Sequence, residues 1–330
     1  RALKSGLVGG DSKSDDAILA QSLWGLNFPN PIGLAAGFDK DAEVPDAMLR
    51  IGLGFVEAGT VTPRPQQGNP KPRLFRLSDD GAVINRLGFN SGGLEAYAAR
   101  LEARGMRSGI VGVNVGKNKE TERAEDDYVI GIERLTLLSD YIVVNVSSPN
   151  TEGLRALQAR ESLTRLLSAS MDARARAATN ITKMPPLLVK VAPDLDTSEM
   201  HDIADVVVSS GIDGLVVGNT TIDRPADLQS SDKSQAGGLS GKPLMEKSTE
   251  CLAEFYRLTE GKIPLIGCGG IASGADAYAK IRAGASLVQL YTALVFQGPG
   301  LVGRIKRELA ALLKEDGFAN VSEAIAADHK

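Results

Sequence analysis

Residues 141–151 carry side chains whose types and spacing could do chemistry. An apolar, β-branched run ends there in two asparagines, two serines, a proline and a threonine. Such a run predicts a buried strand of a parallel sheet, and α/β folds bind ligands at the carboxyl ends of those strands. Ser148 is the candidate base or nucleophile, because Pro149 fixes the turn and Asn145 and Asn150 flank it. A strand-end serine is more often a helix cap, and a catalytic one would need a dry pocket and a proton relay, for which Thr151 is available.

Lys190 lies among β-branched residues of another predicted strand. A lysine in that position needs a partner for its charge, or it loses the charge. Three interpretations stay open: a side chain that snorkels to the rim, a cation facing an electron-rich ring carbonyl, and a Schiff-base nucleophile.

The last two predicted strands lead into a candidate phosphate site. Residues 267–273 form a Gly-rich turn that opens a helix, and residues 290–293 end the final strand. Backbone N–H groups of such turns bind phosphate without a basic side chain. An ordinary tight turn is the alternative explanation for Gly269-Gly270, but its position after the last two strands favours a phosphate site. The turn at 237–241 could add further amides.

These groups require a frame that brings strand ends together. Apolar segments alternate with segments of helical period, which predicts a (β/α)8 TIM barrel. An open doubly wound sheet is the rival, but its Gly-x-Gly-x-x-Gly fingerprint is absent after the first strand. The predicted strands are 30–37, 55–62, 109–116, 141–148, 186–193, 214–220, 264–270 and 287–293, and the predicted helices are 42–51, 94–104, 122–138, 160–178, 198–210, 244–259, 274–283 and 299–314.

Three segments depart from a minimal barrel. Residues 70–89 are turn-rich and predict a small antiparallel insertion over the barrel mouth. Residues 221–238 form a long polar loop, which is typical of lids and binding loops. Residues 23–28 alternate like half a hairpin and predict an N-terminal hairpin plug at the barrel floor.

Composition excludes several classes of function. The net charge of −4, with both signs interspersed, argues against a nucleic-acid partner, and no apolar run is long enough to cross a membrane as a helix. Cys251 and Cys268 read as reduced thiols of a cytosolic type of protein. His201 and His329 lie outside any motif, so neither a histidine triad nor a metal site is predicted. The strand ends carry amides, hydroxyls and lysines, which suit a polar planar ligand.

Seven motifs, taken together and in this order, resemble the class 2, quinone-reducing dihydroorotate dehydrogenases. They are residues 30–40, 59–66, 85–90, 114–118, 145–151, 237–241 and 267–270. Serine at position 148, where class 1 enzymes carry cysteine, indicates class 2.

The resemblance implies that the chain binds FMN and oxidises dihydroorotate to orotate in pyrimidine biosynthesis, with a membrane quinone as the electron acceptor. Ser148 would remove the C5 proton while the C6 hydride passes to flavin N5. The residues implied to hold the substrate are Lys40, Asn85, Arg86, Leu87, Gly88, Phe89, Asn145, Asn150, Asn219 and Thr220. The residues implied to hold FMN are Ala36, Gly37, Phe38, Asp39, Lys40, Thr60, Asn114, Asn145, Lys190, Gly218, Gly241, Gly270, Tyr291 and Thr292.

The resemblance also bears on the ends of the chain and on its location. Class 2 enzymes carry an N-terminal helical pair that docks on the membrane, and we interpret residues 1–20 as a remnant of that segment and residues 21–330 as the FMN-binding catalytic domain. We expect a monomer with peripheral membrane contact, on the cytoplasmic face of a bacterial inner membrane or on the inner mitochondrial membrane. The chain starts at Arg1 within what resembles a helix, so we expect a preceding segment.

Three alternatives remain at this point. A Schiff-base aldolase on the same barrel would use Lys190 and would be colourless. A non-enzymatic barrel that binds a phosphorylated ligand would use only the last two units. A related FMN barrel would act on a different pyrimidine.

Overall fold

The computed structural model describes residues 15–105, 107–179 and 183–329. Most of the predicted N-terminal remnant, residues 1–14, therefore lies outside the described residues. Within the described ranges the strands are β1 (Gln21–Leu23), β2 (Leu26–Phe28), β3 (Ile32–Leu34), β4 (Phe55–Val61), β5 (Leu74–Leu77), β6 (Ala82–Asn85), β7 (Ile110–Val115), β8 (Tyr141–Asn145), β9 (Leu187–Val191), β10 (Gly214–Val217), β11 (Gly238–Gly241), β12 (Leu265–Cys268) and β13 (Ala285–Leu290).

Eight of these strands close into a parallel barrel in the order β3-β4-β7-β8-β9-β10-β12-β13. Helices connect successive strands on the outside, so the (β/α)8 prediction is confirmed. Within the described residues the helices are α1 (Pro45–Leu49), α2 (Leu94–Arg104), α3 (Ala124–Leu135), α4 (Arg160–Ala177), α5 (Thr197–Ser210), α6 (Met245–Leu258), α7 (Gly274–Arg282), α8 (Thr292–Gln297) and α9 (Gly300–Glu315).

The barrel strands are buried on both faces. Outward-facing side chains such as Val56, Val113 and Leu215 pack against the helix ring. Inward-facing side chains, among them Phe55, Tyr141 and Val143, fill the barrel interior. This two-sided burial explains why the strands read as continuous β-branched runs rather than alternating ones. Because neighbouring barrel strands are all parallel, the polar residues that follow them lie at one rim of the barrel.

The floor of the barrel is closed by a complete hairpin of β1 and β2. The sequence predicted only half a hairpin, at residues 23–28. In the structure the hairpin is complete, because residues 21–23 pair antiparallel with residues 26–28. Phe28 is 1% exposed and its ring meets that of Phe55 edge-on, with centroids 5.5 Å apart. Trp24 Nε1 donates to the carbonyl of Asp213, 2.7 Å away, at the start of β10. The predicted plug is therefore confirmed.

A three-stranded antiparallel sheet stands over the opposite end, the mouth. Strands β5 and β6 of this mouth sheet confirm the predicted insertion. The third strand, β11, was predicted as a turn, and that prediction is wrong: Gly238 pairs with Asn85 and Gly241 with Ala82. Leu77, Ile84, Leu228 and Leu239 form a small apolar cluster beneath the sheet.

Three other local predictions need correction. The final barrel strand ends at Leu290 rather than 293, and the short helix α8 begins at Thr292. Helix α1 has only five residues, because Asp39 accepts hydrogen bonds from the amides of Glu43 and Val44 and holds residues 39–44 as a loop. The loop predicted at 221–238 contains a 3-10 turn, Ser231–Ser234, and its last residue, Gly238, already belongs to β11. Arg224 holds the loop by donating to the carbonyls of Gln235 and Gly237.

Candidate active site

A cavity of about 350 Å³ opens at the carboxyl ends of the barrel strands, beneath the mouth sheet. The structure brings most of the predicted site residues together there. The predicted residues that line it are Ala36, Gly37, Lys40, Thr60, Asn85, Leu87, Gly88, Phe89, Asn145, Ser148, Asn150, Lys190, Asn219, Thr220, Gly241, Gly270, Tyr291 and Thr292. Residues that are scattered along the chain thus share one ligand-sized space.

Five predicted residues do not line the cavity. Phe38 packs edge-on against Tyr291, with ring centroids 5.4 Å apart, and Asp39 caps the loop before α1. Arg86 lies over the Phe75 ring at 4.6 Å and donates to the carbonyl of Ala236, so it ties the mouth sheet together. Asn114 and Gly218 also lie behind the lining. Any contact of these five with a ligand would be indirect or through the backbone.

Ser148 follows β8 in a turn and is 7% exposed. Its Oγ accepts a hydrogen bond from the amide of Asn150, 3.3 Å away, and among the described residues it has no acceptor for its own proton. The Asn150 side chain donates to Asn85 Oδ1 at 3.2 Å, which joins the serine turn to the mouth sheet. The buried Oγ1 of Thr151 has no partner among the described residues. The serine hydroxyl is therefore largely buried, oriented and free to donate.

An amide network lies beside Ser148. Asn145 Nδ2 donates to Thr60 Oγ1 at 2.9 Å and to Asn114 Oδ1 at 3.0 Å. Its Oδ1 accepts from Ser147 Oγ, which in turn accepts from Asn219 Nδ2 at 2.7 Å. The network fixes the rotamers of Asn145 and Asn219, so these amides face the cavity in set orientations.

Sequence reasoning missed the carboxylate below this network. Glu57 is fully buried inside the barrel, where it accepts from Asn114 Nδ2 at 2.7 Å and from Gln289 Nε2 at 2.6 Å. Gln289 lines the cavity, and its Oε1 has no partner among the described residues. An acidic residue inside an apolar strand, Phe55-Val-Glu-Ala, was the available signal, since a buried carboxylate needs dedicated donors.

Two buried or half-buried lysines enter the cavity without a partner among the described residues. Neither Lys190, 3% exposed, nor the half-buried Lys40 makes a hydrogen bond or ion pair with any residue in the described ranges. Burial lowers the pKa of Lys40 to about 8, an effect that the nearby Arg73 adds to and Asp41 opposes. Unpaired buried cations are costly, so the cavity is built for an electron-rich or anionic ligand.

Glycines let the backbone form the wall next to Tyr291. Gly241 and Gly270 have φ values of +100° and +81°. A Cβ on Gly270 would lie 2.4 Å from Met245 Cα, and one on Gly241 would lie 2.4 Å from the Gly81 carbonyl oxygen. Only glycine fits there. The first N–H groups of α8 have no intrahelical partner, and Thr292 and Ala293 also line the cavity.

Arg155 was also missed, because a lone arginine in a polar loop carries no motif. Its guanidinium donates to the carbonyls of Ser147 and Thr220, each at 3.0 Å, and to Asp194 Oδ2 at 2.9 Å. One side chain thus joins the segments that follow β8, β9 and β10. Asp194 also accepts from Lys247 at 2.8 Å, and these contacts lower its pKa against the opposing effect of burial. Arg155 is a positioning residue for the turn that carries Ser148.

In the described ranges no group of three or more His, Cys, Asp and Glu side chains is arranged to hold a metal ion. None of the helices in those ranges combines the length and apolarity needed to cross a bilayer.

Comparisons with known proteins agree with this geometry. Residues 18–313 match the family model described as dihydroorotate dehydrogenase. The chain is 60% identical, over 99% of its length and 93% of the relative, to dihydroorotate dehydrogenase (quinone) of Azorhizobium caulinodans. It is 52% identical, over its whole length and 85% of the relative, to the mitochondrial dihydroorotate dehydrogenase (quinone) of Mus musculus.

Solved structures give the same result. A crystal structure of DHODH from Eimeria tenella in complex with ferulenol superposes with a TM-score of 0.95 and 46% identity, over the whole of this chain and 93% of that one. The ligand-free form from the same organism also gives a TM-score of 0.95. The barrel, the serine turn under a polar cavity and these similarities lead to one conclusion: the chain belongs to the dihydroorotate dehydrogenase family of oxidoreductases.

Proposed function

We propose that this chain oxidises dihydroorotate to orotate, holds FMN as its cofactor and passes electrons to a quinone. The observation that carries the proposal is the cavity itself. Ser148, Asn150 and Asn219 share this space with Lys40 and Lys190, which have no partner in the described part of the chain. Neutral amides suit the ring of a pyrimidine, and a lysine suits its carboxylate.

The residues present fit a flavin mononucleotide. Lys190 offers a buried cation without a partner, suited to a ring edge on which negative charge builds during reduction. Gly241 and Gly270 let backbone segments pack closely along the cavity wall, and the free amides at Thr292, at the start of α8, suit a phosphate. When bound, the flavin would accept the hydride from C6 of the substrate. Ala36, Gly37, Thr60 and Tyr291 would complete its pocket, with Phe38, Asp39, Asn114 and Gly218 supporting it from behind.

The substrate would lie between the serine turn and the mouth sheet. Lys40 would pair with the carboxylate, and Asn85, Asn145, Asn150 and Asn219 would exchange hydrogen bonds with the ring. Leu87, Gly88, Phe89 and Thr220 would close the pocket, while Arg86 holds the sheet that carries them.

Ser148 would act as the base toward the C5 proton. A hydroxyl is a poor base at neutral pH, so its own proton must leave as it takes the new one. Thr151 supports this role, because its buried Oγ1 has no partner in the described part of the chain and lies three residues further along the same turn. Asn150 holds the serine oxygen from the other side through its amide.

The outer part of the cavity fits a quinone. Leu74, Val83, Val295 and Phe296 line it, and Leu74 and Val295 are 55% and 44% exposed. An apolar rim of this kind would accept a lipid-soluble acceptor next to a membrane surface.

We also propose that residues 21–330 form the catalytic domain of a monomer. Residues 1–20 would be the end of a membrane-docking segment, at a bacterial inner membrane or the inner mitochondrial membrane.

An anaerobic visible spectrum, taken before and after dihydroorotate is added, tests the proposal. A yellow protein that bleaches and then regains its colour with a soluble quinone would support cofactor, substrate and acceptor together. A yellow protein that does not bleach would keep the flavin and overturn the substrate. A colourless protein that FMN cannot reconstitute would overturn the proposal, and trapping by borohydride with a carbonyl substrate would then identify Lys190 as a Schiff-base nucleophile.

A further inference from the structure

Lys280 lies outside the cavity in a place where a lysine is unexpected. It belongs to α7 and is fully buried, wedged behind β12 so that a Cβ on Gly267 would lie 3.1 Å from its Cδ. In the described ranges no carboxylate forms an ion pair with it. Among the residues that the structure describes, its Nζ donates to two hydroxyls, Ser248 Oγ at 2.8 Å and Thr249 Oγ1 at 3.0 Å.

Those two hydroxyls lead directly to the Gly-rich wall. Ser248 Oγ lies 3.1 Å from the carbonyl oxygens of both Gly269 and Met245. Thr249 Oγ1 donates to the Met245 carbonyl at 2.7 Å. Met245 begins α6, and its backbone lies against Gly270. One hydroxyl therefore separates the ammonium group from the turn that lines the cavity.

The buried ammonium group of Lys280 needs a negative charge nearby to offset the cost of its burial. Burial lowers the pKa of Lys280 to about 8, with Cys268, Cys251 and Asp276 opposing the shift. At neutral pH the side chain still keeps its proton, because that value lies above 7. A buried cation whose hydrogen-bond acceptors in the described ranges are two neutral hydroxyls is expensive, unless a ligand on the other side of the turn supplies the anion.

We propose that Lys280 is a positioning residue that supplies the positive charge behind the Gly269–Gly270 turn and so makes this wall selective for a ligand that carries a phosphate. The inference rests on the proposed FMN function and deepens it. Lys280 does not touch the ligand. It fixes the turn through Ser248, and its charge adds to that of the N-terminus of α6.

Comparing two flavins isolates this role, since riboflavin is FMN without the phosphate. The full chain, stripped of flavin, is titrated with each by fluorescence quenching, for wild type and for Lys280→Met, which keeps the volume and removes the charge. FMN affinity should fall about tenfold while riboflavin affinity changes less than about twofold. Lys262→Met is the matched control, because it removes the charge of an exposed lysine and should leave both affinities unchanged.

A tether between α6 and α7 is the competing explanation. It predicts that Lys280→Met weakens both flavins equally and unfolds at lower denaturant with or without ligand, and that result would overturn the proposal. Under the proposal the flavin-free variant is at least as stable as wild type, because a buried unpaired charge is gone, and only its stabilisation by FMN shrinks.

Lys280→Gln separates charge from hydrogen bonding and decides the question if the methionine variant does not fold. It retains a donor toward Ser248 but has no charge, so it should also lose the preference for FMN. A glutamine variant with the wild-type ratio of FMN to riboflavin affinity would show that the charge is not needed. If wild type binds neither flavin, the flavin assignment itself fails, and this inference with it.

Discussion

The floor and the mouth of the barrel differ in whether their polar side chains have partners within the chain. At the floor, the β1–β2 hairpin presents Phe28 and Trp24 to the interior, and polar groups such as Trp24 Nε1 and the Gln21 amide reach backbone carbonyls. At the mouth, Lys40 and Lys190 have no partner in the described residues, and the buried hydroxyls of Thr151 and Thr220 are unsatisfied. The polar groups of the floor hairpin thus find partners within the chain, whereas the lysines and hydroxyls of the mouth are left for what it binds.

This difference assigns stability to one end and chemistry to the other. Apolar burial and satisfied hydrogen bonds lower the free energy of the folded chain. Unpaired cations and hydroxyls raise it, and such local costs persist where they serve a function. Substitutions at the mouth should therefore change rates with little loss of stability, and substitutions at the floor should do the reverse.

Ser148→Ala should give the largest effect. Removing the base should slow flavin reduction by dihydroorotate at neutral pH by about 10²- to 10⁴-fold. FMN content and the unfolding midpoint should stay near wild type, because within the described residues the side chain takes part in a single hydrogen bond, of 3.3 Å. Anaerobic stopped-flow absorbance measures the rate. Reduction at the wild-type rate would remove Ser148 from the role of base.

Phe28→Ala tests the floor. Deleting a ring that is 1% exposed and packs on Phe55 should lower the free energy of unfolding by about 3–5 kcal/mol. The rate of flavin reduction, measured on the folded fraction, should remain within about twofold of wild type. Leu26→Ala in the same strand is the control, since Leu26 is only half-buried and should cost less. A large loss of rate with intact stability would break the division between the two ends.

Arg155→Met tests whether the mouth depends on support from behind. Loss of the contacts to Ser147, Thr220 and Asp194 should let the serine turn shift and slow flavin reduction by about tenfold to a hundredfold. Reoxidation by a soluble quinone should be unchanged, because that step does not use Ser148. Arg155→Lys should retain only part of the wild-type rate of flavin reduction, since a lysine cannot make the three contacts together.

Arg160→Met is the matched control for Arg155. Arg160 lies five positions further along and pairs with the exposed carboxylates of Asp202 and Asp205. Its removal should leave both half-reactions at wild-type rates. Equal slowing of both half-reactions by Arg155→Met would show a general loss of structure rather than a misplaced turn.

The smallest effect concerns the pH dependence of ligand binding. The pKa of Lys40 is about 8 in the free chain, and an anionic ligand would raise it. Orotate affinity should therefore be flat below about pH 8 and fall by up to about tenfold per pH unit above it. Titrations of the flavin absorbance with orotate between about pH 6 and 9.5 measure the affinity. Lys40→Met should be weak and flat across this range, and a flat wild-type profile would contradict the pairing.

Local patterns predicted the barrel but not its non-local parts. The bounds of α2, Leu94–Arg104, were predicted to the residue, because its apolar spacing and the following Gly105 are local signals. Residues 238–241 were misread as a turn, because they become a strand only by pairing with β6 far away in the chain. Helix α8 was missed for a similar reason, since six residues after a strand carry too little periodicity to recognise.

Within the site, the residues that line the cavity were easier to predict than the residues that hold them in place. The residues that line the cavity end predicted strands and carry recognisable amides and lysines. Glu57, Arg155 and Lys280 act behind that lining, where an isolated charged residue gives no motif. Their roles depend on which hydroxyls and carbonyls surround them, and those partners come from other segments.

The mouth sheet has a consequence for the order in which the molecule assembles. Ser240 of β11 donates to the carbonyl of Val83 in β6, 157 positions earlier in the chain. During synthesis from the N-terminus the β5–β6 hairpin must therefore wait, with one edge unpaired, until the segment after β10 has emerged. The roof of the ligand cavity is thus completed late, after most of the barrel units exist, and a nascent chain cannot hold its ligand until then.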